Sequence, residues 1–111
     1  MTFFEIGDKL RCVFAGRLDG IACSEIELEL LQRVTAFREN REKAYLTFDL
    51  AEVVFISSAF LRLCLILFKT FGKDCFAITN VSEDIHKVFH ISGFADIMHV
   101  KQKNAVTEKA G

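Results

Sequence analysis

The chain has 111 residues, of which 51% are hydrophobic and 26% are charged. This length predicts one ordinary domain, and this composition excludes an intrinsically disordered chain. The 14 Lys and Arg residues and 15 Asp and Glu residues give a net charge of −1, which disfavours both a nucleic-acid-binding protein and an electrostatic membrane anchor, because each normally shows a clear basic excess.

The first part of the chain predicts two strands and a helix. Two strands are expected between Phe3 and about Leu18, separated by a turn at Gly7–Asp8, because Leu10, Cys12 and Phe14 alternate with the residues between them. A helix is expected to begin at Ser24, because Ser24 and Glu27 have the spacing of a capping box. Its apolar face would be formed by Ile26, Leu30, Val34 and Phe37.

A buried strand is expected in the middle of the chain. Ala44–Leu50 is apolar apart from Thr47 and Asp49, which stands near the end of the run. Val53–Ile56 either extends this strand or forms a short edge piece. Asp49 stands at a strand end, where α/β folds often carry a functional acid, although a turn or capping role is equally compatible.

The next helix carries two apolar stripes. It is predicted from Ser58 to about Phe71, with Ser57 or Ser58 as its cap and Gly72 as its stop. The expected core stripe contains Phe60, Leu63, Cys64, Leu67 and Phe71. A second stripe, displaced by roughly 100°, contains Leu61, Leu65 and Phe68. Arg62 lies on the polar side. Either a neighbouring helix covers the second stripe, or the stripe is a docking face for another protein.

The last elements complete an alternating pattern. A buried strand is expected at Cys75–Thr79, a helix opened by Ser82 and closed by Ser92–Gly93, and a short strand at Asp96–Val100. The apolar face of that helix would contain Ile85, Val88 and Phe89.

The predicted order is therefore β-β-α-β-α-β-α-β. Such alternation indicates an α/β fold, in which a mixed β-sheet carries helices packed mainly on one face. We expect one domain over residues 1–100 and a polar, flexible tail over residues 101–111.

The patterns that carry enzymatic or metal chemistry are not found in the sequence. It has no phosphate-binding glycine motif and no nucleophile elbow. His86 and His90 have the spacing of two metal ligands on a helix, but no suitable third ligand is evident. None of the four cysteines forms a C-x-x-C pair, so they are expected to be reduced core thiols: Cys12, Cys23, Cys64 and Cys75. We therefore expect no enzyme activity, no metal and no cofactor.

Targeting signals are also not recognised. Glu5 and Asp8 occupy the region where a secretory signal needs an apolar run. The longest apolar stretch, Val53–Phe68, is interrupted and is too short for a membrane helix. A cytoplasmic protein without membrane insertion is expected.

From Leu46 onward, the chain resembles the STAS family, the domain shared by sulfate transporters and anti-sigma factor antagonists. Four segments carry the resemblance: the strand LTFDL, the step VVFISSAFLRL into a helix, the strand CFAIT, and the helix end VFHISGFADI. The first strands and helix fit the family's order as well. The resemblance therefore implies a single STAS-like domain.

The resemblance to the bacterial antagonists implies a phosphorylation-controlled binding module. In these proteins the helix opens with two hydroxyl residues. An anti-sigma factor with serine kinase activity phosphorylates the second one, and a cognate phosphatase removes the phosphate. That residue matches Ser58, with Ser57 as the second choice. The unphosphorylated antagonist captures the anti-sigma factor, frees the sigma factor and so regulates transcription. The implied binding face contains Leu61, Arg62, Leu65, Phe68 and Asp49. A homodimer is left open, and direct nucleic-acid contact is not expected.

Two positions differ from the family's pattern at this site. Ile56 replaces the family's Asp, and Ala59 replaces its Gly. The missing carboxylate favours a second hypothesis, in which a STAS subunit that is not phosphorylated docks on a transport or other signalling complex.

Overall fold

The first two strands form a hairpin closed by a glycine turn. In the computed structural model of the chain, which describes residues 1–103, β1 (Thr2–Ile6) and β2 (Lys9–Leu18) pair antiparallel across a two-residue loop. Gly7 holds the first loop position with φ +61°, a left-handed conformation that costs glycine little. The strand pair and its turn are therefore as predicted.

Helices and strands alternate after the hairpin, in the order that the sequence predicts. The elements are α1 (Gly20–Arg38), β3 (Tyr45–Ile56), α2 (Ser58–Phe71), β4 (Phe76–Val81), α3 (Glu83–Ile91) and β5 (His99–Gln102). Two short 3-10 turns, Lys73–Cys75 and Phe94–Asp96, precede β4 and β5.

The five strands form one mixed sheet in the order β1-β2-β3-β4-β5. β1 is antiparallel to β2, and the remaining neighbours are parallel. Each parallel connection contains one helix and moves in the same direction across the sheet. Because such crossovers are right-handed, all three helices lie on the same face. The predicted α/β class with a mixed sheet is confirmed.

A cluster of phenylalanines forms the centre of the core between the sheet and the helices. The ring of Phe48 packs against those of Phe14, Phe60 and Phe76 at centroid distances of 4.8, 5.8 and 5.2 Å. Phe14 and Phe60 also meet edge to face at 5.3 Å. All four side chains are buried. Aromatic edges and faces attract each other in this geometry, which adds to the free energy gained from burial.

The start of α1 differs from the prediction. The helix begins at Gly20, and the carboxylate of Asp19 accepts a hydrogen bond from the Ala22 amide at 2.9 Å. Ser24 is exposed inside the helix, so the predicted capping box is wrong. Asp is among the best N-cap residues, and Asp19 stands five residues before Ser24, so the helix starts earlier in the chain than predicted. The earlier start adds Cys23 to the buried face of α1, and Ile26 is only partly buried.

The strand at the middle of the chain is longer than the apolar run predicts. β3 continues through Asp49 to Ile56, so Val53–Ile56 extends the strand. Asp49 therefore does not end a strand, although β4 pairs with β3 only from Leu46 to Asp49. Beyond this point β3 pairs with β2 alone, and the two strands project as a narrow extension.

The last elements also differ in detail. The final strand is His99–Gln102 rather than Asp96–Val100, because Phe94–Asp96 folds as a 3-10 turn. The predicted tail thus begins inside β5, and residues 104–111 lie outside the described part of the chain. Val88 is 38% exposed, so the buried face of α3 reduces to Ile85 and Phe89.

Among residues 1–103, no helix combines the length and the apolar character that crossing a membrane requires.

Candidate functional site at the start of helix α2

Ser57 joins the end of β2 to the start of α2. Its hydroxyl donates a hydrogen bond to the Leu18 carbonyl at 2.8 Å, and its oxygen accepts one from the Phe60 amide at 3.4 Å. The Ser57 amide donates to the same Leu18 carbonyl at 3.0 Å. Ser57 is therefore the N-cap of α2, and its hydroxyl is fully engaged in holding the fold.

Ser58 differs from Ser57 in its exposure and in its hydrogen bonding. It is the first residue of α2 and is exposed. The hydrogen bonds formed among residues 1–103 leave its hydroxyl without a protein partner. Of the two serines, Ser58 is thus the one whose hydroxyl is available to another molecule.

The second apolar stripe of α2 is partly covered. Leu61, Leu65 and Phe68 are all intermediate in exposure, whereas Leu63 of the core stripe is fully buried. Leu61 and Phe68 also pack against the core, and Leu65 is the member of the stripe that does not. The neighbouring elements therefore cover the inner part of the stripe and leave its outer part accessible.

Arg62 links α2 to α1 beside this stripe. Its guanidinium donates a hydrogen bond to the Glu27 carboxylate at 3.1 Å, and both side chains remain partly exposed. Arg62 lies one helical turn after Ser58, a spacing at which side chains meet on the helix surface. The exposed hydroxyl thus has a cation on its own helix face.

Three exposed apolar side chains next to the site are not predicted as exposed from the sequence. Val54 and Phe55 of β3 are 72% and 37% exposed, and Ile21 in the first turn of α1 is 74% exposed. The guanidinium of Arg17 lies 4.3 Å from the centre of the Phe55 ring. Val54 and Phe55 lie where β3 pairs with β2 alone, whereas Val53 and Ile56 of the same run are buried.

Asp49 lies elsewhere, on the face of the sheet that carries no helix. Its carboxylate accepts hydrogen bonds from Arg11 at 2.8 Å, the Ala51 amide at 3.0 Å and Asn80 at 3.2 Å. The residue is only 6% exposed. Side chains alternate along β3, so Asp49 points away from the helices, and the structure does not bring it together with Ser58.

Burial of Asp49 raises the pKa of its carboxyl, but the hydrogen bonds from Ala51, Asn80 and Arg11 outweigh this effect. The pKa is therefore held below its ordinary value. A carboxylate that is ionised and fully hydrogen-bonded in this way is a structural group of the open sheet face.

The two positions that differ from the STAS pattern flank the serines. Ile56 is 6% exposed and belongs to the core, and Ala59 is partly buried against it. Position 56 thus supplies packing and no charge.

The cysteines are free thiols, and three of them are buried. Burial raises the pKa of Cys12 to about 12 and also raises the pKa of Cys23 and Cys64. These thiols stay protonated at neutral pH, so they lack the thiolate that a nucleophile needs.

His86 is partly buried and His90 is exposed on α3. In the described range, residues 1–103, no three His, Cys, Asp or Glu side chains are grouped so as to hold a metal ion.

Comparison of the chain with protein-family models gives no match, and comparison with curated proteins gives none either.

Proposed function

We propose that this protein is a STAS-type binding module that acts as an anti-sigma factor antagonist and is controlled by phosphorylation of Ser58. It binds a partner protein and does no chemistry of its own. The partner is an anti-sigma factor with serine kinase activity, and a cognate phosphatase resets the module. Support comes from the order of strands and helices and from the segments around LTFDL and VVFISSAFLRL.

One observation carries the proposal. Ser58 is exposed, its hydroxyl has no partner among residues 1–103, and it begins the helix that also presents Leu61 and Leu65 partly exposed. A modifiable hydroxyl therefore stands at the edge of an apolar surface. Such a surface supplies affinity, because burying a Leu side chain contributes about 1.5–3 kcal/mol.

A phosphate on Ser58 acts on binding and leaves the fold intact. It brings about −1.5 to −2 charges at pH 7, and the amides and dipole at the start of a helix stabilise that charge. Covering the same charge with an apolar or acidic partner surface is unfavourable, because its hydration is lost. The modified protein keeps its structure and loses its partner.

Arg62 is also expected to respond to phosphorylation of Ser58. Its guanidinium is paired with Glu27 in the unmodified chain. A phosphate one turn earlier competes for this guanidinium, because a phosphate attracts Arg more strongly than one carboxylate does. Phosphorylation is then expected to weaken the Arg62–Glu27 link between α2 and α1 and to change the charge pattern of the docking face.

Ile56 favours a second function, a docking subunit of a transport or other signalling complex. The buried isoleucine leaves the serine without the adjacent carboxylate that the phosphorylated antagonists carry. In this alternative the apolar stripe binds its partner constitutively, and Ser58 is an ordinary first-turn residue.

A kinase assay tests the role of Ser58 directly. The protein is incubated with a kinase-type anti-sigma factor from the same organism and with ATP, and intact mass spectrometry counts the phosphates. We expect one phosphate on the wild type and none on Ser58→Ala. Ser24→Ala is the matched control, because Ser24 is also exposed and helical, and it should be modified like the wild type. Modification of Ser58→Ala would move the site to another residue.

Capture of the same partner tests the binding face. Leu65→Asp should reduce affinity by roughly tenfold to a hundredfold, which corresponds to losing the burial of one Leu. Val88→Asp is the control, since Val88 is a partly exposed apolar residue on another helix, α3. Circular dichroism checks that each variant is folded. An unfolded Leu65→Asp would show that the second stripe belongs to the core.

Ser58→Asp separates the two functions. Weakened capture supports phosphorylation control, because the variant adds part of a phosphate's charge. If Ser58→Asp captures the partner as well as the wild type does, and the kinase adds no phosphate to the wild type, the protein is the constitutive docking subunit.

A further inference from the structure

The two edges of the sheet differ in how they are protected. β5 carries Lys101 within the strand, and a lysine at a sheet edge discourages pairing with other chains. β1 has the sequence TFFEI, without Lys or Pro, and its register with β2 is uninterrupted from Thr2 to Ile6. Among residues 1–103, the edge at β1 is therefore regular and unpaired.

The backbone of β1 has hydrogen-bonding groups free on its outer side. Ile6 and Lys9 flank the two-residue loop, and such a flanking pair exchanges its hydrogen bonds across the hairpin. Pairs alternate along an antiparallel ladder, so the amides and carbonyls of Phe3 and Glu5 point away from β2. Within residues 1–103, no other strand lies on that side.

The side chains of this edge suit pairing with an identical strand. Phe4 is 45% and Ile6 is 78% exposed on the helix-free face. The only charge on β1 is Glu5, which forms ion pairs with Arg33 and Arg41 of the same chain. Two copies of Glu5 would therefore meet as neutralised groups, without net repulsion.

We propose that β1 pairs antiparallel with β1 of a second copy of this chain, around a twofold axis at Phe4. Phe3 then exchanges hydrogen bonds with Glu5 of the partner subunit, and the symmetry gives four such bonds. Phe4 lies opposite Phe4 of the partner subunit, and Thr2 lies opposite Ile6 of the partner subunit. The two sheets become one continuous sheet with an apolar stripe along its open face.

The antiparallel arrangement makes this edge complementary to itself, as a twofold interface requires. The contact involves one five-residue strand from each subunit, which is smaller than the interfaces of stable dimers. We therefore expect a dimer that dissociates on dilution. Ser58 lies at the start of α2 and not on β1, so this pairing neither requires nor blocks the proposed phosphorylation.

Sedimentation velocity over a series of concentrations of the full chain tests the dimer. The wild type should pass from monomer to dimer as concentration rises, and Phe4→Glu should lower the association constant by at least about tenfold. Within one subunit the new carboxylate remains tolerated, because the Arg11 guanidinium lies 4.7 Å from the Phe4 ring centre. Ile91→Glu replaces an 83% exposed residue of α3 and should behave like the wild type.

Cysteine cross-linking tests the register. In the proposed pairing, the two Cα atoms at position 4 are about 4.5 Å apart, inside the disulfide range of roughly 4.4–6.8 Å. Phe4→Cys should form a covalent dimer under mild oxidation. The positions 6 lie about 13 Å apart, so Ile6→Cys should cross-link no more than the wild type, whose partly exposed Cys75 sets the background.

Three results would overturn the proposal. A wild type that stays monomeric at all concentrations excludes a second copy as the occupant of this edge, whatever other strand binds there. A Phe4→Glu variant that dimerises like the wild type places the interface elsewhere. Equal cross-linking of Phe4→Cys and Ile6→Cys excludes the symmetric register.

Discussion

The central strands present two faces of different chemistry. Toward the helices, β2 and β3 place residues such as Phe14, Leu46 and Phe48, all of them almost fully buried. On the other face, the same strands place Arg11, Thr47 and Asp49. Neighbouring residues in one strand thus belong to environments that differ in polarity and in packing.

The comparison shows how side chains are shielded from water on the face that no helix covers. On the covered face, apolar side chains are removed from water by packing. On the open face, Asp49 is also 6% exposed, but it is enclosed by strand neighbours and by the hydrogen bonds of Arg11, Asn80 and Ala51. Stability on this face therefore depends on charge and hydrogen bonding, and four measurements of the free energy of unfolding test the contrast.

The largest effect is expected at the centre of the covered face. Phe48→Ala removes the ring that contacts three other phenylalanines and should lower the free energy of unfolding by about 3–5 kcal/mol. Urea denaturation followed by circular dichroism measures this loss. A loss below about 1 kcal/mol would mean that the aromatic cluster is not the centre of the core.

A smaller loss of stability is expected from the open-face network, the hydrogen-bonded group of Asp49 with Arg11, Asn80 and the Ala51 amide. Asp49→Asn keeps the shape of the side chain but removes its charge, and should cost about 1–2 kcal/mol. Arg11 is 48% exposed and regains water, so the loss stays below that of a fully buried ion pair. Asp8→Asn, in the exposed hairpin turn, is the matched control and should leave stability unchanged. Equal stability of Asp49→Asn and the wild type would make the network dispensable.

The same carboxylate predicts a pH dependence. Because the folded-state pKa of Asp49 is lowered from 3.8, its contribution is fully present above that pH and is lost as pH falls through the folded-state value. The stability difference between wild type and Asp49→Asn should therefore be constant at neutral pH and shrink below about pH 4. The hydrogen bond from Arg33 also lowers the pKa of Glu5, but both proteins contain Glu5, so its effect cancels. A difference that stays the same in acid would contradict the assignment.

The smallest effect is expected beside Phe48 on the same strand. Thr47 points to the open face and is partly exposed, and Thr47→Ala should change the free energy of unfolding by no more than about 0.5 kcal/mol. The same urea titration compares it with Phe48→Ala. Similar losses at both positions would show that the two faces are equally packed.

Local pattern was sufficient for most of the fold. The alternation in β2, the stop of α2 at Gly72 and the cap of α3 at Ser82 all depend on neighbours in sequence, and all are observed. The errors occur where two local signals compete. Ser24 has the spacing of a capping box, but the carboxylate of Asp19, five residues earlier, accepts a hydrogen bond from the Ala22 amide and begins the helix.

The candidate site was predictable in part. The step from a strand into a helix at Ser57 and Ser58 is visible in sequence, but both residues are good caps. The choice between them depends on the carbonyl of Leu18, 39 residues before Ser57, which accepts a hydrogen bond from the Ser57 hydroxyl. The resemblance implies Asp49 at the binding face, whereas the alternation of side chains along β3 places it on the opposite face of the sheet.

Periodicity and capping within single segments specify the elements, their order and the apolar residues available for a core. Which surfaces stay uncovered is specified by the packing of distant segments: the exposed Val54 in the β2–β3 extension, the outer part of the α2 stripe at Leu65, and the open edge at β1. The exposure of a side chain depends on what packs against it, and those neighbours come from strands and helices far away along the chain.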